Sequence, residues 1–195
     1  MTEATSTLRS FVAVPLPGAV QTEIAEAARA LAGKLPAVSW SKKPENLHVT
    51  IKFLGAVAVD RLEGLAAELG TALAEVPRFE IGLRGWGAFP SARHARVLFA
   101  DVEGSEALSA AAEIVEAVAE RFGFEREKRR FTGHVTVGRA KEKAGVDARA
   151  ELERGADREF GRVTVEEVHV YESHLGREGS TYVLRHRAPL GGRAN

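Results

Sequence analysis

The sequence contains no cysteine and a single methionine. Without thiols there is no disulfide framework, no cysteine nucleophile, no iron–sulfur cluster and no zinc-ribbon site. Charge of one sign is also lacking: 27 Lys and Arg meet 27 Asp and Glu, for a formal net charge of zero. A protein that coats long nucleic acid carries a large positive excess, so any nucleic-acid contact is expected to be local. No apolar run is long enough to propose a membrane-spanning helix. The first residues, MTEATSTLRS, carry Glu3 and lack the basic start and apolar stretch of a secretory signal. A cytoplasmic protein is therefore expected. Disorder is excluded by composition, with 45% apolar and 28% charged residues. A length of 195 residues fits one domain.

What is present is a repeat. Phe11 to Pro17 (FVAVPLP) predicts a strand closed by prolines. Val20, Ile24, Ala27, Ala28 and Leu31 are spaced for a helix over 18–35. Strands are predicted at 47–55 and 79–89, with a helix over 59–76 carrying Leu62, Leu65, Leu69 and Leu73. The order then recurs: a strand at 96–102, a helix over 108–122, a strand at 133–138, a weaker helix over 145–154, and one long strand at 160–173. Gly18 and Gly104, Phe11 and Val97, His48 and His134 each lie 86 residues apart, as do Arg96-Val97-Leu98 and Tyr182-Val183-Leu184. The expectation is an α+β fold in which residues 1–195 form a single bilobal domain. Its two pseudo-symmetric lobes would each have a mixed or antiparallel sheet with outer helices, around a central cleft.

The repeat includes His48-Val49-Thr50-Ile51 and His134-Val135-Thr136-Val137. On a strand, residues i and i+2 share a face, so each His and Thr project together while the valines and Ile51 face the core. A twofold axis between the lobes would bring two imidazoles and two hydroxyls to one cleft. Histidine titrates near neutrality, so one ring can take a proton while the other gives one. Displacement at phosphorus needs those groups on opposite sides of the phosphate, and hydroxyls can donate to its non-bridging oxygens. A lone His-x-Thr is usually just strand. Two of them, at the offset of three other repeated features, favour chemistry. Basic flanks suit an anionic substrate: Lys42, Lys43 and Lys52 around the first motif, and seven Arg and Lys between Arg126 and Lys143 around the second. Arg139 follows the second motif, and strict alternation places it on the face opposite His134. His94, His169, His174 and His186 read as structural or surface groups. No His or carboxylate spacing suggests a metal site, and no cofactor is expected.

FVAVPLP, PENLHVTIKFLG, GAFPSARHARVLFADVEG, FTGHVTVGR and YESHLG together resemble the bacterial RNA 2′,3′-cyclic phosphodiesterases, formerly called 2′-5′ RNA ligases, of the two-histidine phosphoesterase superfamily. The resemblance implies that His48 protonates the leaving 3′ oxygen and His134 activates water, leaving a 2′-phosphate. It implies that Thr50, Thr136 and Arg139 bind the phosphate. The substrate would be RNA or an oligonucleotide with a 2′,3′-cyclic phosphate end, and the reaction could run backwards as ATP-independent 2′-5′ ligation. No membrane and no obligatory protein partner is implied, and a monomer is expected. The near-symmetric motifs themselves do not say which histidine is acid and which base. Relatives often carry proline before the second histidine, where this chain has Gly133, which loosens the backbone there. A non-catalytic RNA-end or nucleotide-binding module, or a phosphodiesterase for small cyclic nucleotides, are the competing readings.

Overall fold

Strand ladders account for most of the long-range order. A computed structural model describes residues 6–104, 106–176 and 179–191; the stretch around Glu3 lies outside them. The elements are β1 (Thr7–Pro15), α1 (Gly18–Ala32), β2 (Val38–Trp40), β3 (His48–Ala58), α2 (Val59–Leu73), β4 (Phe79–Phe89), β5 (Val97–Glu103), α3 (Glu106–Arg121), β6 (His134–Ala140), α4 (Arg149–Arg154), β7 (Glu159–Val165), β8 (Glu167–Gly176) and β9 (Gly179–Pro189). All strand pairs are antiparallel, in the order β7-β4-β5-β6-β3-β1-β8-β9, with β2 added on β6. The fold is α+β, a curled antiparallel sheet with four α-helices among the described residues.

The helices form where the apolar period is 3.6. Val20, Ile24, Ala27 and Ala28 are the buried stripe of α1, and Leu62, Leu65, Ala66, Leu69 and Leu73 that of α2. α1 ends three residues before Leu35, because Pro36 disfavours helical geometry in the residue ahead of it. α4 starts later than the spacing suggests. Gly145 has φ 77° and its backbone lies against the Ala95 carbonyl, so the chain cannot be helical there. β2 is three residues long, too short for alternation to reveal.

The strand expected over 160–173 is two strands broken at Glu166. β7 pairs with β4 at one edge of the sheet, whereas β8 pairs with β1 near the other. Only Glu166 separates them, so the sheet must curl until its ends come together. Arg78 Nη1 sits 2.9 Å from Glu166 Oε1, and the Leu190 amide donates to the Glu166 carbonyl at 2.8 Å. A period-2 pattern cannot show this crossing, because both strands keep buried valines in step: Val163, Val165, Val168 and Val170.

The chain interleaves across the two ends of the sheet. β1, β3, β8 and β9 lie together and are covered by α2 and α3; β4, β5, β6 and β7 lie together with β2, α1 and α4. Thus α1 follows β1 but packs on β2, β6 and β7, while α3 follows β5 but packs on α2 and β3. Val49 and Ile51, and their counterparts Val135 and Val137, are buried under this helical layer.

That layer also holds a buried ion pair. Lys52 Nζ on β3 lies 2.7 Å from Glu116 Oε2 on α3, with side chains 6% and 11% exposed. Lys52 also donates to the Glu125 carbonyl at 2.9 Å, and the Glu127 amide lies 3.3 Å from the same Glu116 oxygen. Removing one partner strands a buried charge, whereas removing both does not. Lys52→Met is expected to cost about 3–5 kcal/mol in urea unfolding. Lys52→Met combined with Glu116→Leu should cost clearly less than that single change.

Candidate active site

β3 and β6 are joined at a single pair, Val49 with Val135. In an antiparallel register centred there, His48 comes opposite Thr136 and Thr50 opposite His134. The local axis of the repeat therefore runs through the motif. Either side of that pair the strands leave each other for their outer neighbours, β1 and β5. The cleft between them has a volume of about 1170 Å³ and is lined by His48, Thr50, His134, Thr136 and Arg139. All five residues singled out from the sequence are brought together.

The two imidazoles are held alike. His48 Nδ1 lies 2.7 Å from the Asn46 carbonyl, and His134 Nδ1 lies 2.7 Å from the Thr132 carbonyl. A carbonyl only accepts, so both Nδ1 atoms carry hydrogen and each ring keeps Nε2 for chemistry. His48 Nε2 lies 3.0 Å from Thr50 Oγ1, so the Thr50 hydroxyl donates to the neutral ring. Phe11 stacks on His48 at 4.9 Å between centroids, and Tyr182 meets the ring edge-on at 5.3 Å. His134 is wedged between Phe89 and Phe99, at 5.1 and 5.0 Å. Sequence reasoning had Phe11 and Phe89 as strand residues and missed them as walls of the cleft.

A repeated β-bulge decides which later residues reach the cleft. Between β1 and β3, Val12 pairs with Lys52 and Ala13 with Thr50, so Ile51 is the extra residue. Between β5 and β6, Leu98 pairs with Gly138 and Phe99 with Thr136, so Val137 is the extra residue. A bulge inverts the alternation of everything beyond it. Lys52 is therefore turned from the face of His48 and Thr50 into the helical layer, where Glu116 neutralises it. Arg139 is turned the other way. It pairs with Val97, two positions from Phe99 on β5, and so shares the face of His134 and Thr136. Strict alternation placed it opposite; the bulge corrects that, and Arg139 lines the cleft exposed.

Gly133 is not loose. A side chain there would meet Leu108 Cδ2 at 2.9 Å and Val102 Cβ at 3.3 Å, so the residue is packed beneath α3. Of the basic residues near the cleft, Lys52 is turned to the helices and paired with Glu116, and Arg126 is paired with Glu113 and Glu120. Arg9, Lys42, Lys43, Lys128, Arg129, Arg130 and Arg139 line the cleft and have no carboxylate partner among the described residues. The cleft is thus positive in a chain of zero net charge. The other histidines lie elsewhere. His169 is buried between Glu167 (2.6 Å) and the Tyr171 hydroxyl (2.8 Å), and His174 pairs with Glu172. Among the described residues, no three His, Asp or Glu side chains are grouped to hold a metal ion, and no helix is long and apolar enough to cross a membrane.

Burial under the aromatic rings is the main force on His48. It lowers the ring's pKa from 6.5 to about 4, opposed by the bond to the Asn46 carbonyl and reinforced by the nearby charge of His134. Free His48 is therefore neutral at pH 7. The unfolded chain protonates this ring near pH 6.5 while the folded one resists to about pH 4, so stability is present above 6.5 and lost as pH falls between those values. The loss is at most about 3 kcal/mol, since the ring's edge opens to the cleft. His48→Gln should flatten that part of a denaturant-midpoint profile measured from pH 7 to pH 4.

Residues 13–177 match the model of the 2′-5′ RNA ligase superfamily. A curated relative from Aeropyrum pernix, named RNA 2′,3′-cyclic phosphodiesterase, is 38% identical over 142 residues, covering 71% of this chain and 78% of its own. A relative of the same name from Methanothermobacter thermautotrophicus is 32% identical over 176 residues, covering 90% of this chain and 95% of its own. The crystal structure of TT0787 from Thermus thermophilus superposes with a TM-score of 0.77 at 28% identity, covering 96% of this chain and all of that one. With the family model spanning most of the length and the fold matched end to end, the chain belongs to the 2′-5′ RNA ligase superfamily.

Proposed function

We propose that this protein hydrolyses RNA 2′,3′-cyclic phosphate ends to 2′-phosphates by paired histidine acid–base catalysis. The observation that carries the reading is the symmetric anchoring of the two rings. Each Nδ1–H is fixed to a carbonyl two residues upstream, which leaves two Nε2 atoms for one cationic cleft. His134 would take a proton from water as its oxygen bonds to phosphorus. The bond from phosphorus to the 3′ oxygen breaks, and His48 would give that oxygen a proton. Thr50, Thr136 and Arg139 would hold the non-bridging oxygens as charge develops. The relatives' names support the substrate class, and the polar, positively charged cleft supports an anion.

The donor role of His48 places a demand on the substrate. The free ring is neutral at pH 7, so it must gain its proton with the anion bound. A phosphate charge beside Nε2 favours the imidazolium, and Thr50 can turn its hydroxyl from Nε2 to the phosphate once Nε2 carries hydrogen. The His48 resonance in an NMR titration is therefore expected to move from about 4 to well above it when 2′-AMP binds. If it stays low in the complex, His48 is not the proton donor.

Turnover is best followed by phosphorus NMR on a dinucleotide 2′,3′-cyclic phosphate, which also reports the bond that breaks. His48→Ala and His134→Ala should each lose about 10²–10⁴-fold in kcat. Thr50→Val and Thr136→Val should each lose about 10–100-fold, the worth of one hydrogen bond to a charged group. The reaction should need no nucleotide triphosphate and continue in excess EDTA. Wild-type binding of the cyclic substrate without turnover would leave a binding module instead.

A further inference from the structure

The reacting phosphate does not use all the charge in the cleft. Thr50, Thr136, Arg139 and the histidines suffice for one phosphate. The volume of about 1170 Å³ exceeds what a small ligand fills. Two further basic pairs stand at the repeat offset: Lys42-Lys43 and Lys128-Arg129, 86 residues apart. The lips they form differ. Lys43 is engaged with the Thr181 hydroxyl at 3.1 Å. On the second lip, Arg130 adds a third cation, and the Glu127 carboxylate turns back to accept from the Lys128 and Arg129 amides, at 3.1 and 3.5 Å. Lys128, Arg129 and Arg130 are exposed and line the cleft.

The second lip is also held in place from below. Residues 122–133 link α3 to β6 without helix or strand. Within them, the Glu125 carbonyl and the Glu127 amide are pinned by Lys52 and Glu116. A buried ion pair costs desolvation that its own attraction hardly repays. Here it fixes the backbone directly ahead of three cations, and it springs from the bulge that follows Thr50. One device thus ties the first motif to the lip of the second.

We propose that Lys128, Arg129 and Arg130 form a binding site for phosphates of the RNA chain beyond the reacting end, with Lys52 and Glu116 as its positioning residues. The proposal rests on the phosphodiesterase reading and deepens it: these three residues, rather than the reacting site, set the preference for an oligonucleotide over a mononucleotide. Unpaired cations in one cleft repel one another, and successive phosphates relieve that repulsion where a single cyclic phosphate cannot.

The test joins binding to turnover. Fluorescence anisotropy gives Kd for a labelled RNA oligonucleotide ending in 2′-phosphate, with 2′-AMP as competitor, at about 50 and about 200 mM salt. Wild-type protein should prefer the oligonucleotide, and its Kd should rise with salt. The triple variant Lys128→Ala, Arg129→Ala, Arg130→Ala should lower the salt slope by about 2, which is about 15-fold less sensitivity over that range. Its ratio of kcat/KM between the oligonucleotide and 2′,3′-cyclic AMP should fall toward one. Lys52→Met with Glu116→Leu should raise KM for the oligonucleotide with kcat nearly constant, whereas Lys52→Arg alone, which keeps the pair with Glu116, should leave KM near wild type. Equal wild-type affinity for both ligands, or a triple variant with unchanged slope and ratio, overturns the site. Length-dependent, salt-sensitive binding in the absence of turnover would keep the site and sink the proposed reaction; turnover indifferent to length would do the reverse.

Discussion

Everything in the site depends on the strands β3 and β6 touching at one residue pair. A longer ladder between Val49 and Val135 would have closed the sheet flat and left no gap above it. No ladder at all would have let the two motifs drift apart. One pair fixes the axis, and the repeated bulge at Ile51 and Val137 then bends each strand toward its outer neighbour. The cleft is the space that this divergence opens, and its floor is built from the aromatic rings that the outer strands place against each imidazole.

The bulge also sorts charge. Two positions after each threonine, the twin sites hold Lys52 and Gly138, both turned toward the helices. One position later they hold Phe53 and Arg139, both turned toward the cleft. Lys52 can be buried because Glu116 meets it from α3, and Gly138 has no side chain because Val38 and Trp40 crowd it, with Val38 Cγ1 2.7 Å from where a Cβ would stand. Phe53 is 66% exposed on the cleft face, whereas Arg139 presents its charge there. Equivalent positions thus carry different chemistry, which breaks the symmetry that a directional reaction cannot keep. The environment of His48, walled by Phe11 and Tyr182, differs from that of His134 for the same reason.

Much of this was legible in the chain. The 86-residue offset and the doubled His-x-Thr name four of the site residues, because i, i+2 alternation holds over two positions whatever the strand does afterwards. The three long helices α1, α2 and α3 were legible because each has one continuous apolar stripe. The face of Arg139 was not, since a bulge is set by the pairing of two strands distant in sequence, and alternation is blind to it. Nor was the break at Glu166, where the residues on both sides keep the same pattern while the strand changes partners. Lys52 read as one more cation near the motif. Its partner lies 64 positions away on a helix, and only packing brings them together.

The interleaving of the chain bears on how such a protein could be taken apart. The sequence repeats, but neither half of the sequence holds a whole lobe: α1 and β4 belong with strands of the second half, and α3, β8 and β9 with strands of the first. A backbone cut in the turn at residues 91–96 would therefore leave two fragments, each with bare sheet edges and an uncovered helix stripe. Neither fragment has the partner elements to bury those surfaces alone, while together they have all of them. The halves are complements rather than copies, and the histidine on each is seated by elements the other supplies.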